Sequence, residues 1–226
     1  MRYAIFDLDG TIVDSMIYWR SFEKEFLREM GIDEKEMKLS KNDWIGSDWV
    51  EALCNFFNKN YDFDFQLTPE KFHQWGIEFM MRKYANDVDF KPGAHQLLDT
   101  LKEQGVKMCV CSSTDRSIME PVLQKYDLDK YFQFTVHCRE YGVEKNDPQV
   151  FRYCMERLGA ENPAEVAVFE DAAYSISTAK AAGFYTVGMY DVTEKNADKV
   201  KENADQYVTD YADLDLSKLP KYYNIL

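Results

Sequence analysis

Five short apolar runs, at 3–6, 106–111, 132–136, 166–169 and 185–189, have strand-like length, and helical patterns with clear start signals separate the later ones. Pro92-Gly93 precedes a helix carrying Leu97, Leu98 and Leu101 that stops at Gly105. Asp115 can cap a helix running toward Tyr126, and Asp147-Pro148 offers an N-cap with proline at the first helical position, ending at Gly159. Strands that alternate with helices of this length predict βαβ units: an α/β fold with a parallel sheet and helices on both faces.

The interval from Ser15 to about Phe90 breaks this rhythm. It has no convincing strand, and its apolar residues recur at helical spacing in three stripes: Phe22, Phe26 and Met30; Trp49, Leu53, Phe56 and Phe57; Phe72, Trp75 and Phe79. Thr68-Pro69 opens the third of these helices. All four tryptophans (Trp19, Trp44, Trp49 and Trp75) fall in this block. The expected organisation is an α/β core made of 1–14 and 91–226, with an α-helical domain inserted at 15–90. Most of its aromatics are expected to form its own core; Trp44, before a glycine in an apparent loop, is the best candidate to face a substrate.

Composition narrows the function classes. The 226 residues are 46 % hydrophobic and 15 % aromatic, ample for a real core. A formal net charge of −13 argues against nucleic acid or an anionic membrane as partner. An anionic substrate would need a local metal ion or a few placed cations. No apolar stretch approaches the roughly 18 residues of a membrane span. Met1-Arg2-Tyr3 runs directly into strand-like sequence, so no signal peptide is expected. The five cysteines include no C-x-x-C pair, and Cys109 and Cys111 alternate along an apolar run as small hydrophobes. The expectation is a reducing cytoplasmic setting and a monomer.

The chemistry-bearing residues sit at strand ends. The first run closes in Asp7-Leu8-Asp9-Gly10-Thr11, and a fully buried strand has no use for two acids. The second ends in Ser112-Ser113-Thr114, the third is followed by Lys145-Asn146-Asp147-Pro148, and the fourth ends in Glu170-Asp171. In a parallel sheet these carboxyl ends open onto one edge. Acids, hydroxyls and a lysine would converge there, a set suited to a hard, oxygen-liganded cation such as Mg²⁺ together with a phosphate. Read singly, each has a plain alternative: a solvated turn for Asp7 and Asp9, a polar strand end for Ser112 and Ser113, a surface lysine for Lys145, a helix N-cap for Glu170-Asp171. An EF-hand loop fails on the early glycine, and His73, His95 and His137 show no metal or triad spacing.

Taken in order, D-x-D-G-T at 7–11, Ser112, Lys145 and the acidic pair at 170–171 resemble the haloacid dehalogenase superfamily over residues 1 to about 214. The inserted helical segment resembles the cap of its first subfamily, which includes small-molecule phosphatases and β-phosphoglucomutase. The resemblance implies a Rossmann-like core and roles for individual residues. Asp7 would be the nucleophile that forms an aspartyl-phosphate. Asp9 would be the general acid and then base. Ser112, with backbone N–H groups near Ser113, would bind phosphate, and Lys145 would neutralise it. Mg²⁺ would be held by the Asp7 carboxylate, the Asp9 carbonyl and Asp171, with Glu170 direct or through water.

The resemblance also separates reactions. The dehalogenase and phosphonatase branches lack an acid at the position of Asp9, so its presence favours phosphoryl transfer from an oxygen ester. The β-phosphoglucomutase branch usually carries a histidine early in the first cap helix, whereas here the stretch is Asp14-Ser15-Met16-Ile17-Tyr18-Trp19-Arg20. That weighs for a phosphatase acting on a small phosphorylated metabolite; a phosphomutase and a non-catalytic phosphometabolite-binding protein are the alternatives. Two departures from the pattern, Asn146 directly after the lysine, and Ala172 with Ser175 after the acidic pair, are expected to alter packing and not catalysis.

Overall fold

The computed structural model describes residues 2–39 and 49–220. The chain runs β1 (Tyr3–Phe6), α1 (Met16–Glu29), α2 (Trp49–Asn60), α3 (Pro69–Asn86), α4 (Ala94–Glu103), β2 (Lys107–Ser112), α5 (Arg116–Lys125), β3 (Phe132–His137), α6 (Cys138–Tyr141), α7 (Gln149–Leu158), β4 (Val166–Glu170), α8 (Ala173–Ala181), β5 (Tyr185–Met189), α9 (Ala197–Asn203) and β6 (Gln206–Val208). The six strands form one parallel sheet in the order β3-β2-β1-β4-β5-β6. From β1 the chain winds outward through β2 and β3, then returns to the other side of β1 through β4, β5 and β6. The winding therefore reverses between β1 and β4, and their carboxyl ends flank the crevice where open α/β sheets bind ligands.

Burial explains why the central strands read as continuous apolar runs. Side chains alternate between faces along a strand, and here both faces are covered. On β1, Ala4 and Phe6 enter one core while Tyr3 and Ile5 enter the other; β4 divides in the same way, with Ala167 and Phe169 against Val166 and Val168. Phe6 and Phe169 stack across the two strands at 4.1 Å between ring centroids. Cys109 and Cys111 pack in the second core as expected, and all five cysteines are buried free thiols.

Between β1 and β2 the three expected helices appear. Thr68 caps α3 by accepting from the Lys71 N–H at 3.3 Å, with Pro69 as its first residue. Phe22 and Phe26 of α1, Leu53 and Phe57 of α2, and Phe72 and Phe79 of α3 are buried together. Each fully buried ring of this kind contributes roughly 2–3 kcal/mol of apolar burial. The helices approach closely at Gly76, where a Cβ would stand 2.5 Å from the tip of the Phe22 ring. The chain leaves and re-enters the sheet region through two paired linkers: Asp14 N–H donates to Asp89 O at 2.8 Å and Lys91 N–H to Ile12 O at 2.9 Å.

Some details depart from the sequence reading. The strands begin or end one residue from their expected bounds at β2, β3 and β4. β6 was not anticipated, because a three-residue edge strand shows no period. Helix α7 starts one residue after Pro148, with the Asp147 carboxylate accepting from Gln149 N–H at 2.9 Å. Leu219, close to the end of the described residues, is buried. Trp44 lies outside the described residues.

Candidate active site

The first acidic motif owes its shape to Leu8 and Gly10. Asp7 continues the sheet by one residue, its N–H donating to Phe169 O at 3.0 Å. Leu8 turns into the core, which leaves Asp7 and Asp9 on the opposite side, toward the crevice. The Leu8 carbonyl then accepts from both Ile12 and Val13, and Gly10 N–H donates to Val13 O at 2.8 Å, so the chain doubles back tightly. Gly10 has φ +77°, in the left-handed region, and a Cβ there would lie 2.3 Å from Asp171 Oδ2. A side chain here would strain the backbone and push the Asp171 carboxylate aside. We predict that Gly10→Ala displaces Asp171 and lowers the affinity of this acidic cluster for an added divalent cation by about 10–100-fold, the usual cost of disturbing the support of such a site. Calorimetric titration of both proteins with Mg²⁺ tests this; an affinity equal to that of the unsubstituted protein would contradict it.

Asp7, Asp9, Lys145, Glu170 and Asp171 are all buried. Lys145 Nζ donates to Asp7 Oδ1 and, at 2.6 Å, to Glu170 Oε1. Glu170 is saturated: Ser175 Oγ also donates to Oε1 at 2.6 Å, and the N–H groups of Asp171 and Ala172 donate to Oε2 at 3.0 and 3.1 Å. Asp171 accepts from Thr11 Oγ1 at 3.3 Å, and Tyr211, buried behind the loop, donates to Thr11 O at 3.2 Å. Carboxylate oxygens of Asp7, Glu170 and Asp171 lie within 4.8 Å of one another, a grouping that could hold a metal ion. Among the described residues, Oδ2 of Asp7 and Oδ2 of Asp171 accept no hydrogen bond, so these two acids have lone pairs to offer an ion and Glu170 has none to spare.

The electrostatics point the same way. Among the described residues, four buried carboxylates face one buried ammonium, three negative charges in excess if all are ionised. Burial first, then the charges of Glu170 and Asp9, push the Asp7 carboxyl well above the usual range against the pull of Lys145. Burial, Glu170 and Asp7 do the same to Asp171. Burial works against the Lys145 ammonium, but Asp7 and Glu170 outweigh it and hold its pKa well above the ordinary value. A hard divalent cation among these oxygens would relieve most of the excess.

Asp9 is held separately. Ser15 Oγ and the Tyr84 hydroxyl both donate to Oδ1, and Thr114 Oγ1 donates to Oδ2 at 2.7 Å. The indole of Trp19 donates to the Tyr84 oxygen at 3.1 Å. Burial, followed by the neighbouring Asp9 charge, raises the Tyr84 phenol well above its usual pKa, so it stands as a donor. Ser112 is buried at the end of β2, its Oγ accepting from Thr114 N–H at 3.1 Å. Ser113 Oγ is buried with no hydrogen-bond partner among the described residues. His137 closes this loop from behind, Nδ1 to Thr114 O at 3.3 Å.

The expected residues therefore gather at the β1/β4 crevice, with Ser112 and Ser113 on the adjoining β2 loop. Sequence reasoning missed Ser15 and Tyr84; it holds Thr11 only as part of the turn after the first acids, Thr114 only as part of the strand-end hydroxyl cluster, and Ser175 only as a departure expected to alter packing. Ser175 had a signal: a hydroxyl five residues past Glu170 falls in the first turn of α8, pointing back at the carboxylate.

The sequence matches the haloacid dehalogenase-like hydrolases over residues 1–183. The phosphoglycolate phosphatase of Pseudomonas syringae pv. syringae is 27 % identical over 192 residues, covering 83 % of this chain and 69 % of that one. A phosphorylated carbohydrates phosphatase of Thermotoga maritima is 26 % identical over 196 residues, covering 81 % and 82 %. The structure of a β-phosphoglucomutase from Clostridium difficile shares the fold at a TM-score of 0.65 and 22 % identity, over 96 % of this chain and 94 % of that one. With the acidic loop of β1, the lysine and the acidic pair of β4 at one switch point, the chain belongs to the haloacid dehalogenase-like hydrolase family, and it is a hydrolase of that family.

Proposed function

We propose that the chain is a Mg²⁺-dependent phosphatase that hydrolyses a small phosphorylated metabolite through an aspartyl-phosphate on Asp7. The observation that carries this reading is the pairing of Asp7 with Lys145 beside an independently held acid, Asp9, two residues away. The relatives' names support it, and their differing substrates leave the class at small phosphate esters.

Asp7 attacks phosphorus in line and the ester oxygen leaves, converting one difficult displacement into two easier ones. Lys145 pulls Asp7 toward its ionised form against burial and balances phosphate charge, while Glu170 fixes the ammonium between the two acids. Ser112 Oγ and the backbone N–H groups around Ser113 receive phosphate oxygens. Asp9 gives its proton to the departing oxygen. It then takes a proton from the water that attacks phosphorus of the Asp7 acyl phosphate, releasing inorganic phosphate and restoring Asp7. Asp7, Asp171 and the Asp9 carbonyl are the groups that would hold Mg²⁺, with Glu170 acting through Lys145 and Ser175. When bound, the ion supplies charge neutralisation that lets an anionic phosphate approach a carboxylate. The helical segment 15–90 serves as a cap that excludes water and selects the leaving group. Buried free thiols support a cytoplasmic setting.

Hydrolysis of an aryl phosphate is expected to vanish on chelation and return on adding Mg²⁺. Full activity in excess chelator would contradict the reading.

A further inference from the structure

We propose that Tyr84, from the helical segment between β1 and β2, is a positioning residue for Asp9: it fixes the orientation of the acid–base carboxyl and ties that orientation to the place of the segment against the sheet. The proposal rests on the reading of Asp9 as the acid–base group.

Among the described residues three hydroxyls donate to the Asp9 carboxylate, and they differ in origin. Ser15 stands on the linker just before α1, and Thr114 on the loop after β2, both close to the sheet edge. Tyr84 comes from the last turn of α3, 75 residues away in sequence, and is completely buried. A phenol has one proton to give. The Trp19 indole, which can only donate, occupies a lone pair of the Tyr84 oxygen and so directs that proton to Asp9 Oδ1. Tyr84 therefore has a defined role as donor, whereas the Thr114 hydroxyl can rotate and either donate or accept. Oδ1 is kept as an acceptor, and Oδ2 is the oxygen that faces the exchange of a proton with the leaving group or with water.

The same geometry makes the position conditional. Trp19 and Tyr84 lie on α1 and α3, and α3 packs along α5 of the α/β region. Any movement of the helices away from the sheet carries both rings with it and withdraws the Tyr84 donor from Asp9. Asp9 is then set for proton transfer when the helical segment is seated, which coordinates acid–base chemistry with exclusion of water.

Leaving-group dependence tests this. An alkyl phosphate needs a proton on its departing oxygen, whereas 2,4-dinitrophenyl phosphate does not. The ratio kcat/KM reports on steps through phosphorylation of Asp7, before Asp9 is needed as a base. Tyr84→Phe is expected to lower kcat/KM about tenfold for the alkyl ester, part of the 10²–10⁴-fold that acid–base help supplies, and less than about twofold for the dinitrophenyl ester. Trp19→Phe should shift the two esters in the same unequal way by a smaller factor, and the double variant should be no worse than Tyr84→Phe alone. Equal losses on both esters, or no loss on either, would overturn the proposal while leaving the phosphatase reading intact. Should Tyr84→Phe fail to fold, Trp19→Phe carries the same comparison with the same criteria. A wild-type protein that hydrolyses neither ester would remove the phosphatase reading and this inference with it.

Discussion

Asp7→Asn is expected to abolish phosphoester hydrolysis, with turnover down by about 10⁴-fold or more, the scale seen when a covalent nucleophile is removed. The substitution is nearly isosteric, and the amide oxygen can still accept from Lys145, so the fold should survive. An amide has neither the charge nor the nucleophilicity to attack phosphorus. It also removes one of the two carboxylates with an oxygen free for an ion, so metal affinity should fall as well. Thermal melts beside initial rates separate loss of chemistry from loss of structure. Activity within a few-fold of wild type would remove Asp7 as nucleophile.

Asp9→Asn carries the next largest effect, a drop in turnover of about 10²–10⁴-fold. Its cause is different, and so is its pattern. The nucleophile, its lysine and the metal-facing oxygens are untouched, so Asp7 can still be phosphorylated, fastest with a leaving group that needs no proton. Hydrolysis of the acyl phosphate needs a base and should become the slow step. A burst of released dinitrophenol followed by slow turnover is therefore expected from the dinitrophenyl ester. A variant that turns over steadily at the wild-type rate would remove the acid–base assignment.

How far the sequence revealed this site depends on what each residue interacts with. Asp7, Asp9, Lys145, Glu170 and Asp171 were legible because charge at the end of an apolar run conflicts with burial unless something uses it. The sheet was legible for a related reason: strands covered on both faces read as short apolar runs between capped helices. Tyr84 was not. It falls on the buried face of α3 with Phe72, Gly76 and Met80 at four-residue spacing, and nothing in that stripe marks the one ring whose hydroxyl reaches a carboxylate. Thr114 and Ser15 were hidden differently, as ordinary polar residues of a strand end and a helix start. Their common target appears only when β2, the linker and α3 meet in three dimensions. Glu170 was seen as a metal-site acid, but its partners recast it: with Lys145, Ser175 and two backbone N–H groups on its oxygens, it anchors the lysine.

The central claim is that phosphate passes through a covalent bond to Asp7. The direct measurement is to mix Asp9→Asn protein and Mg²⁺ with a dinitrophenyl phosphate, quench in acid within the burst, and map the phosphoryl group by peptide mass spectrometry. One phosphoryl group on the peptide containing Asp7, removed by hydroxylamine as an acyl phosphate must be, is the predicted result. A burst of released phenol with no phosphoryl group on Asp7 would contradict it.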